Sequence, residues 1–279
     1  MITLSFLRSL AISIVATAGS LSATAVVAAP PSLVPHIAAY TMQVSPSGSG
    51  GGMFRGRGVL QLEWRRDCEG MAYSQQSLLT LNSDEGAVFD SAVRIESWEA
   101  EDASVFRFLL ESSIEGEVTE EVSGLAQRRK DGSVDVRYSL PAEQQRHMPA
   151  ETVFPWQQTR SVLTDAAAGV RQGWYRLLRG EADGDPVGVS VKIVGDEGPP
   201  ADRGALGLQD PADDLLPAQG WRVVSAYFEN RVESVPAFEI AETMLASGVI
   251  TRATIAYPDM TMRLKLQRLQ RSAPPKCGE

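Results

Sequence analysis

Few residues of this 279-residue chain could do chemistry: two histidines, two cysteines and acids spread along its length. His147 stands in Gln144-Gln145-Arg146-His147-Met148-Pro149. An imidazole acting as general base needs a hydroxyl or thiol to deprotonate and an acid to orient it. Neither a serine nucleophile elbow nor a His-Glu-x-x-His stretch accompanies it. His147 therefore reads as a surface-loop histidine, with a hydrolase built on it as the weaker alternative. His36, just ahead of the first strand, reads the same way. The run Trp98-Glu99-Ala100-Glu101-Asp102 could gather a cation through paired carboxylates, but it lacks the spacing of a calcium loop and suits a solvated hairpin turn. Gly56-Arg57-Gly58 precedes no helix, which makes it a strand bend and not a dinucleotide fingerprint. The two His and two Cys, scattered along the chain, exclude the common multi-Cys/His zinc frameworks. The sequence thus predicts no catalytic residue, no metal site and no cofactor.

How the cysteines behave depends on compartment. The first residues carry Arg8 and no acid, then run through Leu10-Ala11-Ile12-Ser13-Ile14-Val15-Ala16 to Val26-Val27-Ala28-Ala29. This is the pattern of a secretory signal peptide, residues 1–28, cut after Ala28 or, as the alternative, after Ala25. A retained anchor is disfavoured because Ser13, Thr17, Ser20, Ser22 and Thr24 interrupt a run that needs about 20 mostly apolar residues. Residues 29–279 are then expected as one exported domain with no stable membrane insertion. In an oxidising compartment Cys68 and Cys277 most simply pair with each other; free thiols or intermolecular bridges are the alternatives. The pair would close a loop of 277 − 68 = 209 residues, for which chain entropy gives roughly 5 kcal/mol. No Cys-x-x-Cys spacing suggests redox catalysis.

Composition excludes further classes. With 26 basic against 35 acidic side chains the formal charge is −9, a field that repels a phosphate backbone, so nucleic acid is not an expected partner. A hydrophobic fraction of 43% supports a folded core but no multi-spanning membrane protein.

The elements that must position these residues are mostly strands. Leu60, Leu62 and Trp64 alternate with Gln61, Glu63 and Arg65; the same period recurs over Val134–Tyr138, Val187–Ile193 and Met262–Leu266. Further strands are predicted at 37–44, 71–81, 88–98, 105–111, 117–127, 174–178, 221–232, 238–245 and 249–257, separated by turn signals such as Asp131-Gly132 and Ser247-Gly248. This predicts an antiparallel meander. One helix is expected from Pro155 to about Ala168, with Trp156, Leu163, Ala167 and Val170 at helical spacing and Gly169 as its stop. Residues 45–52 read as a flexible hairpin tip and residues 195–220 as a mobile loop. The aromatics lie in or beside strands, where core is their default role; if the sheet curves into an incomplete barrel, Trp64, Phe106, Phe108 and Trp156 could line a groove for an acyl chain.

Several short motifs then fall in a specific order: Pro35-His36-x-Ala38-x-Tyr40, Cys68-Glu69-Gly70, Phe106-Arg107-Phe108, Phe154-Pro155, Ser225-x-Tyr227-Phe228, Gly248-Val249-Ile250-Thr251-Arg252 with Tyr257 and Asp259, and Cys277 at the tail. Together they resemble the cell envelope integrity protein EipB family of Gram-negative bacteria, over essentially the whole mature chain. The resemblance implies a periplasmic, mostly antiparallel β-spiral closed by a disulfide at the positions of Cys68 and Cys277, needed for an intact envelope and without established enzymatic activity. It also implies a shape similar to the lipoprotein carriers LolA and LolB, a likeness of fold that does not carry function with it. The glycine-rich tip and the long 195–220 loop depart from the family pattern. The expectation is a non-catalytic periplasmic protein that binds another envelope protein, lipid or lipoprotein; the alternative is a carrier that shelters a lipid or lipoprotein acyl chain. An outer-membrane barrel is disfavoured by the hydrophilic Pro274-Pro275-Lys276-Cys277-Gly278-Glu279 end.

Overall fold

Alternating hydrophobicity becomes alternating burial along the first strand. In β1 (His36–Pro46), His36, Ala38, Tyr40, Met42 and Val44 are buried while Thr41 and Gln43 are exposed. The structure is a computed structural model that describes residues 32–47, 54–180, 185–199, 214–229, 234–275 and 277. The expected signal peptide, the centre of the glycine-rich tip and residues 200–213 lie outside the described residues. Seven more strands follow in the first half: β2 (Phe54–Arg66), β3 (Gly70–Ser83), β4 (Val88–Ala100), β5 (Val105–Ile114), β6 (Glu117–Arg128), β7 (Val134–Leu140) and β8 (Gln144–Met148). Then come the two-residue β9 (Thr152–Val153) and the helix α1 (Pro155–Ala167). The second half holds β10 (Gln172–Leu177), β11 (Val187–Asp196), β12 (Gly220–Phe228), β13 (Phe238–Leu245), β14 (Ile250–Ala256) and β15 (Met260–Arg271).

All of these strands form one 15-stranded sheet, nearly closed into a barrel. Chain neighbours pair antiparallel from β1 to β8 and from β10 to β15, and β1 pairs with β15, so the first and last strands lie side by side. The break falls mid-chain, between β8 and β9, and beyond it β9 pairs parallel with β10 because α1 carries the chain back before β10 begins. Register shifts at Ala39/Tyr40, Ser112/Ser113, Ser123/Gly124, Ile193/Gly195 and Thr243/Met244 supply local bends, which a sheet needs in order to curl.

Three packed groups line the inner face. One joins Trp156, Val162, Leu163 and Ala166 of α1 to Val189, Val191, Trp221 and Val223. A second is centred on Ala38, Tyr40, Leu62 and Leu266, and a third on Phe106, Phe108, Val136, Tyr138 and Phe154. Two sequence expectations need correction. The helix buries Val162 and Ala166 where Ala167 and Val170 were expected; those two are exposed, being part of the last turn and the strand approach. The 195–220 stretch is not loop throughout: β11 runs to Asp196, and Leu215 and Leu216 are each 2% exposed within the second group, where Ser247 Oγ donates to the Leu215 carbonyl at 2.8 Å. Without periodicity, a buried Leu pair at the end of a Pro- and Asp-rich stretch gives no strand or helix signal.

Candidate functional site

The helix is held in place by an acid from another element. Glu99, near the end of β4, faces inward and is 2% exposed. Its Oε2 accepts the Trp156 N–H at 2.8 Å and its Oε1 the Gln157 N–H at 2.9 Å. Those are first-turn donors that no helix carbonyl can reach, and Phe154 ahead of them offers no side-chain acceptor. Negative charge is also favoured at that end of the helix dipole. The solvated turn expected for this acid run is therefore wrong at Glu99: β4 continues to Ala100, and its phase turns the side chain inward. Burial pushes the carboxyl up to about 7, against the lowering pull of the two backbone donors and of Arg160 and Arg128. Glu101 and Asp102 stay exposed; Glu101 pairs with Arg66 and Arg160, and Asp102 accepts the Ser104 N–H. Arg66 and Arg160 in turn lie over the Trp156 ring, at 5.7 and 4.1 Å from its centre.

The histidines part company. His36 is buried, 1% exposed, opposite Trp64, with Nδ1–H donating to the Val34 carbonyl at 2.7 Å; burial lowers its pKa and leaves a neutral core imidazole, not a surface one. His147 is exposed as expected, but on strand β8, where its Nδ1 lies 2.8 Å from Asp135 Oδ1 on the adjoining β7. The cysteines are joined: Cys68 and Cys277 form a disulfide with their Cα atoms 5.5 Å apart. The turn that presents Cys68 is set by Asp67, whose Oδ1 accepts the N–H groups of Glu69 and Gly70 and whose Oδ2 accepts the Trp98 indole N–H at 2.6 Å.

The four aromatics expected at a groove do not share one place. Phe106 and Phe108 are packed 5.4 Å apart beside Phe154 and Tyr138, next to the mid-chain seam. Phe108 is wedged between two glycines: a Cβ on Gly124 would meet its ring at 2.5 Å and one on Gly180 at 2.6 Å. Trp156 lies on the helix in a separate group, against which the half-buried Trp64 also packs, its ring 4.6 Å from that of Tyr73. Arg128 closes the seam from inside the turns, donating to the carbonyls of Ala103, Gly132 and Thr152 at 3.1, 3.1 and 3.0 Å.

Along β13 to β15 the inner face leaves some accessible space, although Met262 and Leu264 still touch the second group. Ile240, Ile255, Met262 and Leu264 occupy inward positions of β13 to β15, yet they are only partly buried. Into this space faces Glu242 of β13, a residue the sequence reading passed over. The signal was available: Phe238, Ile240, Glu242 and Met244 share one strand phase, so an acid stands where an apolar residue belongs. Burial holds its carboxyl up at about 7, and it acts on the phenols of Tyr40, Tyr73 and Tyr227, which are all displaced upward, chiefly by burial.

The sequence pattern of the EipB-like family matches residues 27–273. This chain belongs to the EipB-like family. Among EipB-like relatives, the cell envelope integrity protein EipB of Brucella abortus is 25% identical over 240 residues, 85% of this chain and 84% of the relative. A crystal structure of a beta-barrel-like protein of a domain of unknown function, from the same organism, superposes with a TM-score of 0.77 at 25% identity and covers 86% of this chain and 99% of its own. The EipB-like match spans every strand from β1 to β15.

Proposed function

We propose that this chain is a non-catalytic periplasmic protein that helps keep the cell envelope intact by binding another envelope component. The observation that carries this reading is the correspondence, over nearly its full length, with a relative named for envelope integrity. The outer surface is mostly polar: along β2, Arg55, Arg57, Gln61 and Arg65 are exposed in the outward phase with one exposed apolar residue, Val59, among them, where a lipid-facing wall would be apolar throughout. His147 and Asp135 have no part in the proposal; they form a cross-strand pair on the polar face. The test is a gene deletion complemented either by the full chain or by one lacking residues 1–28, with uptake of a membrane-impermeant dye as the readout. The full chain should restore the barrier and the unexported one should not; a deletion that leaves dye uptake unchanged overturns the proposal.

A second reading, a carrier of a lipid or lipoprotein acyl chain, is favoured by the partly buried apolar wall of β13 to β15. Native mass spectrometry of protein recovered from its own periplasm separates the two. A co-purifying acyl species supports the carrier, and its repeated absence supports the scaffold.

A further inference from the structure

The inward wall that suits an alkyl chain also carries one acid with nothing to neutralise it. Among the described residues the Glu242 carboxyl takes part in no hydrogen bond and no ion pair. The groups near it are phenols. Tyr40 donates to the Ile250 carbonyl at 2.9 Å and Tyr73 to Gln75 Oε1 at 2.6 Å, so both protons are already committed elsewhere and their oxygens are left as acceptors. Tyr227 stacks on Phe238 at 4.4 Å, with the Arg179 guanidinium over both rings at 5.6 and 5.3 Å. Glu242 is only partly buried, as are Tyr73 and Tyr227, so the carboxyl is accessible on the inner face of the sheet. Contrast Glu99, an inward acid of the same sheet whose two oxygens are both taken by backbone N–H groups.

A buried carboxylate is tolerated where a donor or a cation meets it. From the apolar wall beside an unmatched acid and acceptor phenol oxygens, we propose that the inner space binds an amphiphile with an alkyl chain and a primary ammonium head, the chain against Ile240, Ile255, Met262 and Leu264 and the head at Glu242. This rests on the carrier reading and deepens it: the wall supplies affinity for the tail, and Glu242 supplies the choice of head. An ammonium brings three donors and the compensating charge, whereas an anionic head would meet repulsion and a neutral one would leave the acid unmatched.

The experiment is calorimetric titration of the mature, disulfide-bonded protein with three probes of equal tail length: decylammonium chloride, sodium decyl sulfate and decanol, all below their aggregation concentrations. Decylammonium should bind about tenfold more tightly than the other two, the span of one charge-assisted contact. In Glu242→Gln the three should converge while decanol binding is unchanged. Lyso-phosphatidylethanolamine and its N-acetylated form, which keeps tail and phosphate but loses the ammonium, should show the same preference and the same convergence. Decanol binding with no preference among heads, or a preference that survives Glu242→Gln, overturns the assignment of Glu242 and leaves the carrier reading standing. Failure of all probes to bind overturns both. Melting curves of Glu242→Gln confirm that the variant is folded.

Discussion

Glu99 and Glu242 are both acids at inward strand positions, and the fold treats them in opposite ways. Glu99 fastens a helix end; Glu242 faces inward without a partner. Replacing Glu99 by Ala strands two backbone N–H groups at a buried site, an expected loss of about 2–4 kcal/mol in urea unfolding, whereas Glu99→Gln keeps one acceptor and should lose clearly less. For Glu242 the expected effect depends on pH. Its folded pKa of about 7 lies above the ordinary value of 4.5, so the folded state holds the proton more tightly; the stability this gives is full below about pH 4.5 and is lost as pH rises through 7. The groups facing it, Tyr40, Tyr73, Tyr227 and, across Tyr227, Arg179, keep their charge states over that window. Glu242→Gln should therefore melt like wild type near pH 4 and higher than wild type at pH 8, and equal melting at pH 8 would refute the argument. The two acids were unequally legible. Glu242 breaks its strand's phase in plain view, while the partner of Glu99 lies 57 residues away and emerges only when β4 and α1 meet.

At the scale of elements, the long strands and the helix were readable because each has one dry face and one wet one. Pro155 and Gly169, the latter at φ +77°, bracket α1 as the sequence indicated. Strands β8 and β9 were missed for a physical reason. β8 borders the seam and reads Gln-Gln-Arg-His-Met, with only Met148 buried, and β9 has two residues, so neither shows an alternating pattern. The seam is sealed by shape: Phe108 fits because Gly124 and Gly180 have no side chains. Gly180→Ala, which meets both a φ of +87° and the Phe108 ring, should cost more than about 2 kcal/mol. Gly116→Ala is the control: it has a similar φ of +81° but open space around it, and should cost only about 1 kcal/mol. Equal losses would show that the wedge contributes nothing.

For the whole molecule the decisive fact is that the first and last strands arrive at the same place. The β1 to β15 ladder, the Ser272 hydroxyl donating to the Trp64 carbonyl at 2.8 Å and the Cys68–Cys277 bond all tie the tail to the first hairpin. A crosslink spanning 209 residues is worth up to about 5 kcal/mol. Cys68→Ser and Cys277→Ser should lower the melting temperature by similar amounts, and the double variant no further, since one bond is removed in each case; unchanged melting of either single variant would contradict this. The antiparallel meander with one helix was legible because turn spacing and strand period dictate it, whereas its curl was implied only by the family resemblance. The position of the break was not legible, since nothing local distinguishes a barrel opened at its ends from one opened in its middle. Joining first strand to last also sets an order of events in biogenesis. A chain made from its amino end can build the hairpins from β1 to β8 as they emerge, but β1 keeps a bare edge until β15 has been made. The interval between those two arrivals is when the nascent protein is most exposed to mispairing with its neighbours.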